Sequence, residues 1–137
     1  MKLPFTKPKV REKQDDEFTS SEGVFKYSRK WKVSGNYIFN LYNKFFSKKI
    51  GTKANLNDLK KVKEWKTDFN MLSVSERWLL EKRMFKALDW EHILKQVRED
   101  IPGFVVYGQH LTTLYFKKIN DDEYEIYAEI TGTCNND

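Results

Sequence analysis

The sequence predicts an α+β fold: a single domain in which a three-stranded antiparallel sheet, made of an N-terminal strand and a C-terminal β-hairpin, is covered by about four helices. Three observations support this class. The folded part opens with strand-like alternation, continues with helical periodicity, and closes with two alternating stretches around a short polar loop. The predicted order of elements is therefore β-α-α-α-α-β-β.

The length and composition favour one domain with short terminal extensions. A chain of 137 residues with 15% aromatic side chains is long and apolar enough to pack one core. Residues 1–21 hold two prolines among dense mixed charge, so we expect an extended or disordered arm there. The α+β domain is predicted to span residues 22–131, and a polar tail is predicted at residues 132–137.

The first strand is predicted at residues 24–33, where VFKYSRKWKV alternates between two kinds of side chain. Its outer face carries Lys26, Ser28, Lys30 and Lys32. Its core-facing side carries Phe25, Tyr27, Arg29, Trp31 and Val33. The aromatic residues of this basic segment are therefore assigned to the core and not to a surface that stacks on bases.

Arg29 is the one charged residue on the core-facing side of that strand. A buried guanidinium needs an acidic partner. Alternatively, the strand lies at an edge of the sheet and the long side chain reaches solvent. The sequence leaves both alternatives open.

Two helices are predicted between this strand and residue 70. Residues 37–49 concentrate their aromatic and aliphatic side chains on one arc of a helix, and Ser34 or Asn36 can cap its start. Residues 57–70 have apolar residues at helical spacing, which predicts a second amphipathic helix capped by Asn57. Its apolar stripe consists of Leu59, Val62, Trp65 and Phe69.

Residues 73–100 have the periodicity of one long helix, but the apolar direction changes near Asp89. The first apolar set is Val74, Trp78, Leu80, Met84, Phe85 and Leu88, and the second is Trp90, Ile93, Leu94, Val97 and Ile101. We therefore predict two helices, 73–88 and 90–100, with Asp89 capping the second. Ser73 and Glu76 have the spacing of a capping box at the start of the first.

The terminal hairpin is predicted from two alternating stretches, 104–117 and 123–131, joined at residues 119–121. In the register that this loop predicts, Phe116 faces Tyr124 and Lys117 faces Glu123. Apolar and charged pairs then agree on opposite faces of the sheet.

The net charge of +5 is unevenly distributed. Residues 1–72 contain 17 basic and 8 acidic residues, whereas residues 73–137 contain 8 basic and 12 acidic residues. Residues 23–57 contain no acid at all. Such a segment creates a positive field unless the fold brings acids beside it.

The first hypothesis for function is a small non-enzymatic accessory protein that binds nucleic acid, or a nucleic-acid-bearing complex, through its basic N-terminal half. Lysine contacts to phosphate provide affinity with little sequence specificity. The predicted contact residues are Lys26, Lys30, Lys32, Lys44, Lys48, Lys49, Lys53, Lys60 and Lys61. The order helix–helix–hairpin is also that of a winged helix-turn-helix, but acids at the start of the second helix disfavour that motif.

The alternative hypothesis is a protein-interaction module: an inhibitor, an immunity-type protein or a structural or virion adaptor that docks by charge complementarity. Its predicted interface comprises Tyr115 and Tyr127, on the polar side of the hairpin, with Glu123 and Glu125. Aromatic residues are enriched among the residues that dominate binding energy. A protein partner is expected in either hypothesis.

Catalytic and metal sites are not predicted, and no cofactor is expected. No phosphate-binding loop, zinc-protease or nucleophile-elbow motif occurs in the sequence. His110 is assigned to the apolar side of its strand, and the single cysteine, Cys134, to the polar tail. Among enzymes, a metal-dependent nuclease using His92 with the glutamates of the hairpin stays open.

The expected location is the cytoplasm, or a virion if the chain belongs to a phage. A single cysteine fits a reducing compartment, and no stretch has the length of a signal peptide core or a membrane helix. We therefore expect no membrane partner. The small size, the basic arm and the heavy use of Lys, Asn and Ile, which suggests an AT-rich coding genome, are typical of phage or mobile-element proteins. The sequence does not determine the oligomeric state.

Overall fold

The computed structural model describes residues 15–45 and 63–135. The elements in these ranges are β1 (Asp15–Ser21), β2 (Val24–Ser34), α1 (Gly35–Phe45), β3 (Glu64–Lys66), α2 (Val74–Leu88), α3 (Trp90–Asp100), β4 (Val106–Asn120) and β5 (Glu123–Cys134). A short 3₁₀ turn at Phe69–Met71 precedes α2. All five strands form one antiparallel sheet in the order β1-β2-β5-β4-β3, and the helices cover one of its faces.

The predicted architecture is wrong in its strand and helix counts, although the protein is α+β. The sheet has five strands where three were predicted, and the described residues form three α-helices where four were predicted. The first added strand, β1, lies inside the predicted N-terminal arm. It pairs with β2 through a turn in which Glu22 and Gly23 both have positive φ, at 54° and 80°. Turns of this type favour Asn or Asp before the glycine, so the Glu-Gly pair was not a recognisable hairpin signal.

The second added strand, β3, lies within the stretch 57–70 that was predicted as a helix, so that prediction is wrong for residues 63–70. Residues 57–62 lie outside the described part of the chain, and Glu64–Lys66 pair with Lys117–Tyr115 of β4. The Trp65 ring stacks on Phe116 with ring centroids 5.0 Å apart. This pairing with a strand fifty residues away overrides the local helical spacing at Glu64–Lys66, because packing against cross-strand neighbours outweighs the preference of a short segment.

The predicted starts of the helices agree with the structure better than the predicted strands do. Ser34 accepts a hydrogen bond from the Tyr37 amide at 3.2 Å and α1 begins at Gly35, so Ser34 is the cap. Residues 46–49 of the predicted helix lie outside the described residues. At α2, the capping box between Ser73 and Glu76 is confirmed, with both hydrogen bonds formed.

The break at Asp89 is confirmed, but its predicted mechanism is wrong. Asp89 adopts a left-handed backbone, with φ 55° and ψ 48°, and its side chain makes no capping hydrogen bond to α3. The backbone of Asp89 connects the two helices instead. Its amide donates to the Lys86 carbonyl of α2, and its carbonyl accepts from the Ile93 amide of α3. The change of direction turns the apolar face of α3 onto the same core as α2.

The predicted register of the hairpin is wrong by two residues. Phe116 lies opposite Ile126 and not opposite Tyr124, because the chain reverses at Asp121 and Asp122. A displacement of two residues leaves each side chain on its predicted face, and this holds for Thr113–Lys118 of β4. This part of the core therefore forms with the expected residues although their partners differ.

A β-bulge in β4 changes the face on which His110 lies. Leu111 pairs with Ile130 and Thr113 pairs with Glu129, so Thr112 is an extra residue that inverts the alternation. His110 is consequently exposed, and its prediction as a core histidine is wrong. The predicted polar tail is also shorter, since β5 continues to Cys134, which is buried.

The core lies between the helices and one face of the sheet, with Trp90 at its centre. Trp90 is 2% exposed. Its ring stacks on Phe25 at 5.6 Å and contacts Tyr27 at 5.5 Å between centroids. Its indole Nε1–H donates to Gln109 Oε1 at 2.7 Å. Helix α3 is thereby fixed to both β2 and β4.

Arg29 joins the sheet to the end of α2. Its guanidinium is buried and donates to the carbonyls of Ala87 and Leu88, at 3.5 and 3.3 Å. These carbonyls carry the negative end of the α2 dipole, which favours a cation there. Asp16, also buried, is its direct cross-strand neighbour in β1. The added strand thus places a carboxylate on the same face as Arg29.

Candidate functional site

Two surfaces of the described structure carry groups that suit binding. The first is the open face, which is the face of the sheet turned away from the helices. Its charged side chains are Glu17, Lys26, Lys30, Lys32, Glu64, Lys66, Lys117, Glu123, Glu125 and Glu129. As many glutamates as lysines occur among them, because β5 lies directly beside β2.

The lysines predicted to bind nucleic acid share the open face only in part, and acids lie between them. Lys26 contacts Glu129 at 3.1 Å and Lys32 contacts Glu123 at 3.9 Å. Lys30 lies opposite Tyr127 in the register. The other predicted contact residues are Lys44, exposed on α1 beside the Phe45 ring, and Lys48, Lys49, Lys53, Lys60 and Lys61, which lie outside the described residues.

A hydrogen-bond network around Glu129 occupies the middle of the open face. The Tyr127 hydroxyl donates to Glu129 Oε2 at 2.5 Å, and the Thr113 hydroxyl donates to Oε1 at 2.8 Å. Partial burial alone would raise the pKa of Glu129, but these hydrogen bonds and Lys26 outweigh it and lower that pKa below its usual value. Burial and the bond to Glu129 raise the pKa of Tyr127 to about 12.

The raised pKa of Tyr127 predicts a loss of stability at alkaline pH. The unfolded chain releases this proton near pH 10, whereas the folded protein holds it to about pH 12. The contribution of Tyr127 to the free energy of unfolding should therefore be constant below about pH 10 and fall as the pH rises towards 12. Urea unfolding across this range should show a shallower fall for Tyr127→Phe than for the wild type. Equal slopes would contradict this role of Tyr127.

The residues predicted as a protein interface also lie on the open face. Tyr115 and Tyr127 are direct cross-strand neighbours and are half-buried. Glu123 contacts Lys32, and Glu125 lies between Lys32 and Lys117 in the register. The structure brings the four residues together, but the two glutamates lie beside lysines of the same sheet, and the Tyr127 hydroxyl is already bonded to Glu129.

The described residues do not assemble the side chains proposed for a nuclease. His92 lies on α3 in the helical layer, whereas Glu123 and Glu125 point from the opposite face of the sheet. Within residues 15–45 and 63–135, no three His, Cys, Asp or Glu side chains come together in a group that could hold a metal ion.

The second surface is the α2 apolar patch, which consists of Val74, Trp78 and Leu79 in the first half of α2. These side chains are 66%, 66% and 55% exposed. A tryptophan with two thirds of its surface in water is unusual, and the other three tryptophans of the chain are buried or half-buried. The patch continues towards Met71, which is also exposed.

A cavity of about 550 Å³ adjoins the α2 apolar patch. We call it the α2–β4 groove, because its lining includes Trp78 and Phe85 of α2 and Gln109 of β4. The buried Trp90 also lines it. Its volume lies in the range of ligand-binding clefts, so a single large side chain of a partner fits inside it.

Glu81 lies on the wall of this groove and is held by β4. It is buried, its Oε2 accepts the Leu111 amide at 2.9 Å, and His110 Nδ1 lies 3.3 Å from the same oxygen. The carboxylate therefore fixes the distance between α2 and the edge of β4. It also occupies the backbone amide of Leu111.

Sequence reasoning missed the α2 apolar patch because it assigned Val74 and Trp78 to the core. At about 100° per residue, these two residues lie roughly 100° around the helix from the centre of the Leu80–Met84–Leu88 stripe. The buried positions are those of that stripe. Two apolar arcs on one amphipathic helix are a signal that one of them is exposed.

Comparisons with known proteins identify no relative: no family model, no curated protein and no solved structure matches the chain. In the part of the chain that the structure describes, no helix is both long and apolar enough to cross a membrane.

Proposed function

We propose that this chain is a protein-interaction module and that it binds its partner through the α2 apolar patch. The observation that supports this proposal is the exposure of Trp78, which stands between Val74 and Leu79 at the mouth of a cavity. Tryptophan is the residue type most enriched at the energetic centre of protein interfaces. A continuous exposed apolar surface is also a liability for a monomer unless it serves an interaction.

The charge distribution of the open face favours this proposal over polyanion binding. Lys26 and Lys32, two of the predicted phosphate contacts, already lie beside Glu129 and Glu123. A phosphate backbone approaching them would also meet these carboxylates and Glu125. Nucleic-acid binding through the lysines outside the described residues stays a prediction.

The proposal is tested by replacing Trp78 with serine and comparing capture from cells that naturally make the chain. Wild-type and Trp78→Ser proteins, fixed to beads at equal amounts, are incubated with extract and the bound proteins are quantified by mass spectrometry. We expect at least one protein to be retained by the wild type and reduced about tenfold or more by Trp78→Ser. Circular dichroism should show the same helix and strand content for both.

A second pair of variants provides a matched control: Leu79→Ser is the test and Val24→Ser is the control, because both side chains are 55% exposed. Only Leu79 belongs to the α2 apolar patch, so Leu79→Ser should weaken capture while Val24→Ser retains it. Equal capture by the wild type and Trp78→Ser would overturn the proposal. Capture that disappears on nuclease treatment, with salt-dependent binding of purified oligonucleotides, would instead support the nucleic-acid hypothesis.

A further inference from the structure

The N-terminal half of β4 forms an edge of the sheet next to the α2–β4 groove. Strand β3 pairs with β4 only at Tyr115–Lys117, and no other described strand pairs with Val106–Leu111 on that side. Val105 and Tyr107 are exposed there, at 42% and 69%. This segment offers backbone groups to an additional strand.

The composition of this edge is unusual for a strand exposed to solvent. Residues 104–116, FVVYGQHLTTLYF, contain no Lys, Arg, Asp, Glu or Pro. Natural proteins commonly use such residues to prevent another chain from pairing with an edge. Here the described protection is limited to the bulges of β4 and to Glu81, whose carboxylate occupies the Leu111 amide. The edge from Tyr107 to Gln109 is left without a blocking charge.

We propose that the partner of the α2 apolar patch binds as an extended strand along the β4 edge, in the α2–β4 groove. This inference rests on the proposed function and adds the conformation and chemistry of the bound segment. Gln109 belongs both to the edge and to the wall of the groove, so a strand paired at Gln109 directs alternate side chains into the cavity. The cavity wall formed by Trp78 and Phe85 suits a large apolar side chain. Pairing at a sheet edge beside a helix is a recurring mode of peptide recognition.

The groove also selects charge. Lys82 and Lys86 lie one turn apart on the α2 wall of the groove. Neither makes an ion pair with another residue in ranges 15–45 and 63–135. An acidic side chain of the bound strand next to these lysines would complement them, whereas Asp89 and Glu91 would repel it. The third acid of the lining, Glu81, is buried, and its carboxylate is already held by the Leu111 amide and His110. The partner segment is therefore an extended peptide with a large apolar residue and an acidic residue.

The test uses random twelve-residue peptides displayed on phage, selected on the full-length protein. The best binder is synthesised and its affinity is measured by fluorescence anisotropy. We expect selected peptides to combine an apolar residue with Asp or Glu, and to lose affinity about tenfold or more on the Lys82→Glu/Lys86→Glu variant. Replacing the peptide acid by lysine should restore binding to that variant. Lys95→Glu, at an exposed position of α3, is the matched control and should bind like the wild type.

Strand pairing is tested on the peptide, which avoids any effect of a substitution on folding. N-methylation of each peptide amide in turn should weaken binding at every second position, because only alternate backbone groups face β4. Peptide affinity that falls on Trp78→Ser, but shows no alternation on N-methylation or no change on charge reversal, would overturn the proposed strand pairing. The proposed function would then remain intact. A selection that yields no peptide dependent on Trp78 would overturn both.

Discussion

Replacement of Gly132 by alanine is expected to destabilise the protein by about 3 kcal/mol or more, the upper part of the range for overpacked sites. Gly132 lies in β5, and the backbone of Gly108 in the neighbouring strand β4 passes close to it. A Cβ atom at this position would overlap the carbonyl oxygen of Gly108 and come within 2.8 Å of the Phe25 ring. The first neighbour is backbone, so it cannot move aside by changing a rotamer, and the two central strands would have to separate.

Gly108 provides a matched control in the facing strand. A Cβ atom there would meet only the Thr133 hydroxyl, at an ordinary distance of 3.6 Å. Gly108→Ala should therefore remain within about 1 kcal/mol of the wild type, since the loss of backbone freedom in the unfolded chain even favours folding. Urea unfolding of both variants followed by circular dichroism measures the difference. Equal midpoints for the two variants would show that the β4–β5 contact is looser than described.

The parts of the fold that the sequence predicts correctly depend on interactions between near neighbours. The capping box of Ser73 and Glu76 spans four residues, and the break at Asp89 follows from a change in apolar phase within one segment. The alternation of β2 correctly separates Arg29 from Lys30. Each of these features is determined within about two turns or one strand, so the local pattern is sufficient.

The parts that it predicts wrongly depend on distant partners. Glu64–Lys66 form β3 only because Lys117–Tyr115 of β4 lie beside them. The β4 bulge at Thr112 turns His110 out of the core, and its one local mark is that the buried residues Leu111 and Leu114 are three residues apart. Strand pairing of this kind is decided by the whole sheet, and propensity in a short window carries little information about it.

The candidate site shows the same division. The outward direction of Lys26 and Lys32 could be predicted from β2 alone. Their neutralisation could not, because it depends on β5 being the strand beside β2, which brings Glu129 and Glu123 next to them. An acid-free segment therefore indicates a basic surface only after its neighbours in space are known.

The second large effect is expected for Trp90→Ala, which should destabilise the protein by about 3–5 kcal/mol because it removes a fully packed aromatic side chain and leaves a cavity. Trp90 stacks on Phe25 and Tyr27, so its loss also separates α3 from β2.

Trp90→Phe distinguishes packing from hydrogen bonding at this position. A phenylalanine ring keeps most of the stacking on Phe25 but cannot donate to Gln109 Oε1, so we expect about half of the alanine effect or less. Thermal unfolding monitored by circular dichroism measures both variants, and the alanine variant should melt about 10 °C or more below the wild type. Because Trp90 also lines the α2–β4 groove, the alanine variant should lose peptide binding together with stability, whereas Trp78→Ser should lose binding alone. A Trp90→Ala protein with wild-type stability would mean that α3 is held to the sheet by contacts other than this ring.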